Sequence, residues 1–175
     1  MTSASITRPT ADEYFTYYGT YVNKVPAGDI RTLMEAQIGE VREFFGQLPE
    51  AEASVLHAPY TWTIKQVVGH LIDTERIFAE RLHHFAMRDP QPLPGMEQND
   101  YINAADYVTP TLAVLVEELL FLRQANSLLL RRLTPEAWDN HGTASGHSVT
   151  VRALAYMLVG HINHHLDIVR QRVAR

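Results

Sequence analysis

His161 and His165 stand four residues apart in "VGHINHHLDIVRQRV" (159–173), a segment otherwise rich in apolar residues. On an α-helix, residues four apart lie on one face, a turn from each other. Both imidazoles therefore fall on the line continued by Leu154, Leu158 and Ile168, which is expected to face a protein interior. An H-x-x-x-H pair lets two ring nitrogens converge on one ion. The alternative is a pair of core histidines, whose polar nitrogens would cost about 1–3 kcal/mol each if left without partners. His164 lies on a more polar line with Met157, Gly160, Asp167 and Gln171, and is the weaker candidate.

A third ligand is offered by "VVGHLIDTERIF" (67–78), where His70 sits beside Val67, Thr74 and Ile77 at the edge of an apolar stripe. Gly69 before it would permit close approach of another helix, and the dipeptide recurs as Gly160-His161. Three neutral histidines with one open position make the catalytic kind of zinc site rather than the closed structural kind. An ion so held lowers the pKa of a water or thiol, giving hydroxide or thiolate near neutral pH. The chain has no cysteine, so thiol chemistry would need an external thiol, whereas hydrolysis needs only water and a general base.

Glu97 and Asp100 are the candidate bases or fourth ligands, set against the alternative of a solvated loop face. Asp73, one turn on from His70, is a candidate acceptor that would orient it. Glu75 lies about 140° round the helix from His70, and reads equally well as an ion-pair partner of Arg76 or Arg81. His141 and His147 read as loop residues at a pocket mouth, and His83 and His84 as a helix end, where cationic side chains favour the dipole. Trp62, Tyr101 and Phe121 are candidate pocket walls, against the commoner role of such aromatics in a core.

Four long helical patterns must position these side chains. The first follows "VPAGDI", with Asp29 as N-cap and a stripe of Leu33, Ile38, Val41, Phe44, Phe45 and Leu48, and ends at Pro49. The second opens with the capping box Thr63-x-x-Gln66 and runs to about His84 or Met87. A long connection, 88–109, carries prolines and a glycine and crosses to the third helix, which opens at Thr109-Pro110. Its stripe is Leu112, Leu115, Val116, Leu119, Leu122, Leu129 and Leu130. After a turn around Trp138 and the loop "NHGTASGHS" (140–148), Thr150 caps the fourth helix. No segment shows a convincing period-two strand pattern.

These elements predict an all-α protein, a four-helix bundle with a long crossover between helices 2 and 3, formed by one domain over 1–175. Residues 1–28 form an N-terminal segment with a short helix in "DEYFTYYGTYVNKV". The net charge of −5 provides no footprint for nucleic acid. The absence of cysteine excludes disulfides, iron–sulfur clusters and zinc ribbons. No run of 18 apolar residues spans a membrane, and "MTSASITRPTADEYFTYYG" lacks the apolar and basic regions of a secretory signal, so the cytoplasm is expected.

The sequence resembles the DinB/YfiT-like superfamily, in its DinB_2 branch. The likeness rests on "WTIKQVVGHLIDTERIFAER" (62–81), "PLPGMEQNDY" (92–101) and "GTASGHSVTVRALAYMLVGHINHHLDIVRQR" (142–172), with "EYFTYYGTYVNKVPAGDI" (13–30) like the branch's N-terminal segment. The resemblance implies a four-helix bundle with a long crossover, and places the family's three metal-ligand histidines on His70, His161 and His165. It implies a divalent ion, zinc or nickel, and a homodimer. Relatives include S-transferases using low-molecular-weight thiols, a mycothiol-dependent isomerase and proteins labelled metal-dependent hydrolases. The expectation is thus a metal-dependent enzyme on a small-molecule substrate, a thiol S-transferase or hydrolase. The alternative is a non-catalytic metal-binding bundle: a sensor, a carrier or a dimer with a vestigial site.

Overall fold

Side-chain caps set the starts of the long helices. In the computed structural model, which describes residues 5–174, Asp29 accepts the Arg31 N–H and opens α2 (Ile30–Gly46), after a single turn of helix, α1 (Gly19–Val22). The first four residues and Arg175, which the single-domain expectation includes, lie outside the described residues. A short α3 (Glu50–Ala53) precedes α4 (Ile64–Ala86), whose Thr63–Gln66 capping box is closed from both sides at 2.9 and 3.2 Å. The crossover carries its own short helix, α5 (Gln98–Ala104), and leads to α6 (Leu112–Arg131). Thr150 then accepts the Ala153 N–H and starts α7 (Val151–Val173).

Two local expectations change. The N-cap of α6 is Thr111 rather than Thr109, because Asp106 Oδ1 accepts the N–H groups of both Val108 and Thr109 and holds them in a turn. The loop "NHGTASGHS" contains an antiparallel hairpin, β1 (His141–Ala144) with β2 (His147–Thr150), pairing Ala144 with His147. Its two-residue turn has positive φ at Ser145 (53°) and Gly146 (79°), the sense that matches strand twist. Strands of four residues are too short to show alternation in sequence, and the fold remains a helical bundle.

In the bundle, α2 packs on α6 and α7, and α4 packs on the same two helices. The consecutive long helices α2 and α4 therefore stand across from each other, so the connections cannot all be short hairpins. The crossover through α5 packs on α4. No helix among the described residues is long and apolar enough to cross a membrane.

The core is divided. One apolar cluster includes Met34, Phe78, Leu82, Leu130, Leu154 and Leu158; the other includes Val41, Phe45, Val68, Leu71, Leu119, Ile162 and Leu166. Between them each long helix contributes a buried polar residue: Gln37, Glu75, Arg123 and His161. Arg123 Nη1 donates to Glu75 Oε2 at 2.7 Å, Asn126 Nδ2 to Glu75 Oε1 at 2.8 Å, and Gln37 Nε2 to the Val159 carbonyl at 3.0 Å. The partner of Glu75 is thus Arg123, not Arg76 or Arg81. A buried carboxylate needs a partner of this kind, and Arg76 is drawn to Glu118 on the surface.

Candidate metal centre

The three histidines singled out by spacing meet at one point. His70 on α4 and His161 on α7 bring their Nε2 atoms to 3.1 Å, and His165 Nε2 lies 3.1 Å from the same His161 atom. One ligand atom from each residue lies within 4.8 Å of the other two. His70 and His161 are buried at 4% and 3% exposure. The rings of Trp62 and Tyr21 stand 5.1 Å from His70 and 4.9 Å from His161, while Phe78 closes on His161 at 5.9 Å.

Of the glycines preceding two of the histidines, one admits a turn of helix and the other an aromatic ring. A Cβ on Gly160 would lie 2.0 Å from the Tyr21 carbonyl oxygen, so only glycine lets the α1 backbone rest on α7 there. A Cβ on Gly69 would overlap the Tyr107 ring at 2.3 Å. The close approach expected at Gly69 is therefore made by an aromatic ring of the crossover.

Burial holds the imidazoles neutral. It lowers the His70 pKa from 6.5 to about 4, and holds His161 and His165 well below the ordinary value, with smaller contributions from His165 and His70 on His161, from His70 on His165 and from His164 on all three. A neutral Nε2 offers either one lone pair or one N–H, never both. His161 Nε2 has two nitrogen neighbours at bonding distance, so no assignment of protons gives both contacts a full hydrogen bond. A divalent cation would accept all three lone pairs together. Tetrahedral nitrogens about 2.05 Å from zinc stand roughly 3.3 Å apart, close to the separations seen here. The donor set therefore fits such an ion.

A cavity of about 240 Å³ opens beside the cluster, lined by His70 and His161 with Tyr17, Tyr21, Arg81 and Glu97 among its walls. Of the two candidate bases, Glu97 reaches this cavity, where its Oε1 also caps α5 through the Asn99 N–H at 3.3 Å. Asp100 is exposed and lines a separate surface depression with Tyr101 and Ala104. Asp73 does not orient His70 by a hydrogen bond; its Oδ1 accepts from Tyr107 Oη at 2.7 Å. His164 is half-buried against Tyr21, His147 stacks on Phe15 at 3.8 Å, and His83 and His84 lie in the last turn of α4. Trp62 packs beside His70, whereas Phe121 is exposed on α6.

Sequence spacing did not expose Arg81, nor the tyrosines Tyr17, Tyr18 and Tyr21. For Arg81 a signal existed: it follows His70 by 11 positions, about three turns, on the same face of α4.

The structure is thus a helical bundle of crossed connectivity with three converging imidazoles that fit a metal ion, and comparison supplies the family. Residues 33–169 match the sequence model of the DinB superfamily, DinB_2, and the chain belongs to that superfamily. Among solved structures it is similar to YfiT from Bacillus subtilis, described as a probable metal-dependent hydrolase with an unusual four-helix bundle topology. That match has a TM-score of 0.73 and 17% identity over 83% of this chain and 85% of that one. It is also similar to the mycothiol-dependent maleylpyruvate isomerase, with a TM-score of 0.64 and 15% identity over 82% of this chain; the match spans 61% of that protein. At these identities the likeness is one of fold. No curated protein matches the chain.

Proposed function

We propose that the chain is a metal-dependent enzyme acting on a small molecule, with a divalent ion, zinc or nickel, held by His70, His161 and His165. The observation that carries this reading is the convergence of three imidazole Nε2 atoms, two of them from buried histidines that line a cavity. When bound, the ion supplies Lewis-acid chemistry, acidifying a water or an external low-molecular-weight thiol. The protein keeps the imidazoles neutral by burial, and so keeps their lone pairs available. Phe78 and Tyr21 pack against His161 and fix its ring. Glu97, which lines the cavity, is the residue we assign to accept a proton there, ahead of Asp100, which lines a separate depression. The reaction is hydrolysis or thiol S-transfer, and the setting is the cytoplasm. Support for this class comes from the metal-dependent and thiol-dependent activities described for the two proteins of similar fold.

A second reading is a non-catalytic metal-binding bundle, a sensor, a carrier or a dimer with a vestigial site. One observation favours it: among the described residues no carboxylate hydrogen-bonds any of the three imidazoles.

For the homodimer we assign the outer face of α6. Val114, Phe121 and Leu128 are exposed there at seven-residue spacing, the period of a two-helix seam. Antiparallel pairing about Phe121 sets Val114 against Leu128, and Glu118 against Gln124, so no like charges oppose each other. Sedimentation of a dimer that Phe121→Asp dissociates would support this face; a monomeric wild type would remove it.

Metal content tests the main reading. Elemental analysis of tag-free protein should find one zinc or nickel per chain in the wild type and none in His161→Ala. No metal in either after reloading would overturn it. Loaded protein, screened against thiols and hydrolysable esters, then separates the enzyme from the non-catalytic bundle.

A further inference from the structure

Arg81 is buried at 4% exposure, yet no carboxylate among the described residues lies within ion-pair distance of it. A buried charge is normally paired, because leaving water is costly. Its Nη2 donates to the Pro94 carbonyl at 2.7 Å and to Ser145 Oγ at 3.0 Å, which leaves Nε and Nη1 without a protein partner. Neither of these nitrogens is sealed from solvent. Among the other buried arginines, Arg123 is paired with Glu75, and Arg172 lies under the Tyr60 ring at 3.7 Å; Arg81 has only a looser ring contact, with Phe78 at 5.9 Å.

Position makes the unpaired guanidinium informative. His70, Thr74, Ile77, Phe78 and Arg81 form one stripe of α4, and all line the same cavity. The Cα rise from His70 to Arg81 is roughly 16 Å, and long helical side chains lean back toward the N-terminus, which brings the Arg81 head group nearer the imidazoles. Ser145 stands beside it. It is the first turn residue of the β1–β2 hairpin, which sets its φ of 53°, and its N–H donates to the Leu93 carbonyl at 3.1 Å. That conformation presents its hydroxyl to Arg81 at the cavity wall. Since Oγ accepts from Arg81, its hydrogen is free to donate.

We propose that Arg81 and Ser145 form an anion subsite, and that the substrate is a compact carboxylic acid whose carboxylate docks there while its reacting group lies at the three imidazoles. The proposal rests on the small-molecule reading of the cavity given above. One guanidinium and one hydroxyl balance a single negative charge. Glu97 in the same cavity disfavours a phosphate dianion. A volume of about 240 Å³ is below the usual range for drug-sized ligands, which fits a small acid rather than a nucleotide.

The test titrates butyrate, its neutral isostere butyramide, and inorganic phosphate into the protein, followed by NMR, in zinc-loaded and zinc-stripped form. Butyrate should bind the wild type at least tenfold more tightly than butyramide in both forms, and more tightly than phosphate. Arg81→Gln should lose that preference, Arg81→Lys should recover part of it, and zinc content should stay unchanged in both. Equal binding of butyrate and butyramide, or an unaltered preference in Arg81→Gln, would overturn the subsite. So would butyrate binding confined to the zinc-loaded form, which would place the carboxylate on the metal, and so would tighter binding of phosphate. Should Arg81→Gln fail to fold, the stripped wild type and Ser145→Ala decide, with a severalfold loss expected in the latter. A protein that holds no zinc but keeps its butyrate preference would sink the metal reading and leave the subsite standing.

Discussion

The Nε2 atoms of His70 and His161 lie 3.1 Å apart although 91 residues separate them in the chain. Two buried neutral rings edge to edge gain at most one hydrogen bond from that contact, so the arrangement costs the fold more than it returns unless an ion is shared. Substituting His70→Ala removes one of three ligands while leaving α4 and its cap intact. Metal affinity should fall more than roughly 100-fold, beyond the usual loss for removing an outer partner of a ligand. Competition against a chelating dye measures it, with circular dichroism as the check on fold. Tight stoichiometric metal in this variant would remove His70 from the site.

Acid should destabilise the metal-free protein. The three imidazoles have folded pKa values below the unfolded value of 6.5, His70 at about 4, with burial as the main cause. Between those two values the unfolded chain binds protons that the folded protein does not. Stability therefore falls as pH drops from 6.5 toward 4, and His70 alone accounts for about 3 kcal/mol. Urea unfolding of stripped protein at pH 7.5 and pH 5 tests this. Equal midpoints would show that the rings protonate freely in the folded state.

Gly160→Ala should be costly despite being a helix-favouring change. The added methyl would stand 2.0 Å from a backbone oxygen of Tyr21, which no rotamer can relieve. Either α1 lifts from α7 or the helix shifts, at roughly 1–3 kcal/mol or more. Because Tyr21 packs edge-on against His161, metal affinity should fall as well. Gly39→Ala, where a Cβ meets nothing within 4 Å, is the matched control and should be neutral or slightly stabilising. Equal melting temperatures for the two variants would contradict the close approach.

What could be read in the sequence was what the chain decides locally. Asp29, Thr63 and Thr150 are caps because a side-chain oxygen reaches an N–H two or three residues on, and each stands where its stretch predicted. The His161–His165 spacing is equally local. His70 joins them only through the packing of α4 on α7, which composition and the paired Gly-His dipeptides suggested but could not fix. The partner of Glu75 was out of reach, since Arg123 is 48 residues away, although an arginine among the apolar residues Leu119 and Leu130 on one face of α6 was a signal. The α6 cap moved because Asp106, outside the helix, captured the Thr109 N–H first. The hairpin stayed hidden because its strands are four residues each of His, Gly, Ser, Thr, Ala and Val.

The pair Glu75–Arg123 tests whether the polar layer between the two apolar clusters is cooperative. Both side chains are buried, at 2% and 0% exposure, and Arg123 also donates to Gln37 Oε1 and lies beside the Leu158 carbonyl. Substituting Glu75→Leu strands a buried guanidinium, and Arg123→Met strands a buried carboxylate, so each should cost about 3–5 kcal/mol. The double variant replaces the pair with apolar groups that can join the flanking clusters. It should be less destabilised than the two single losses summed, by at least about 2 kcal/mol. Arg123 also opposes protonation of His161, so Arg123→Met should let that ring take up a proton at higher pH and weaken metal loading on the acid side. A double-mutant cycle by urea unfolding at pH 7.5, repeated with metal stripped, separates the two effects. Additive losses would mean that the two charges are solvated independently and that the layer does not act as a unit.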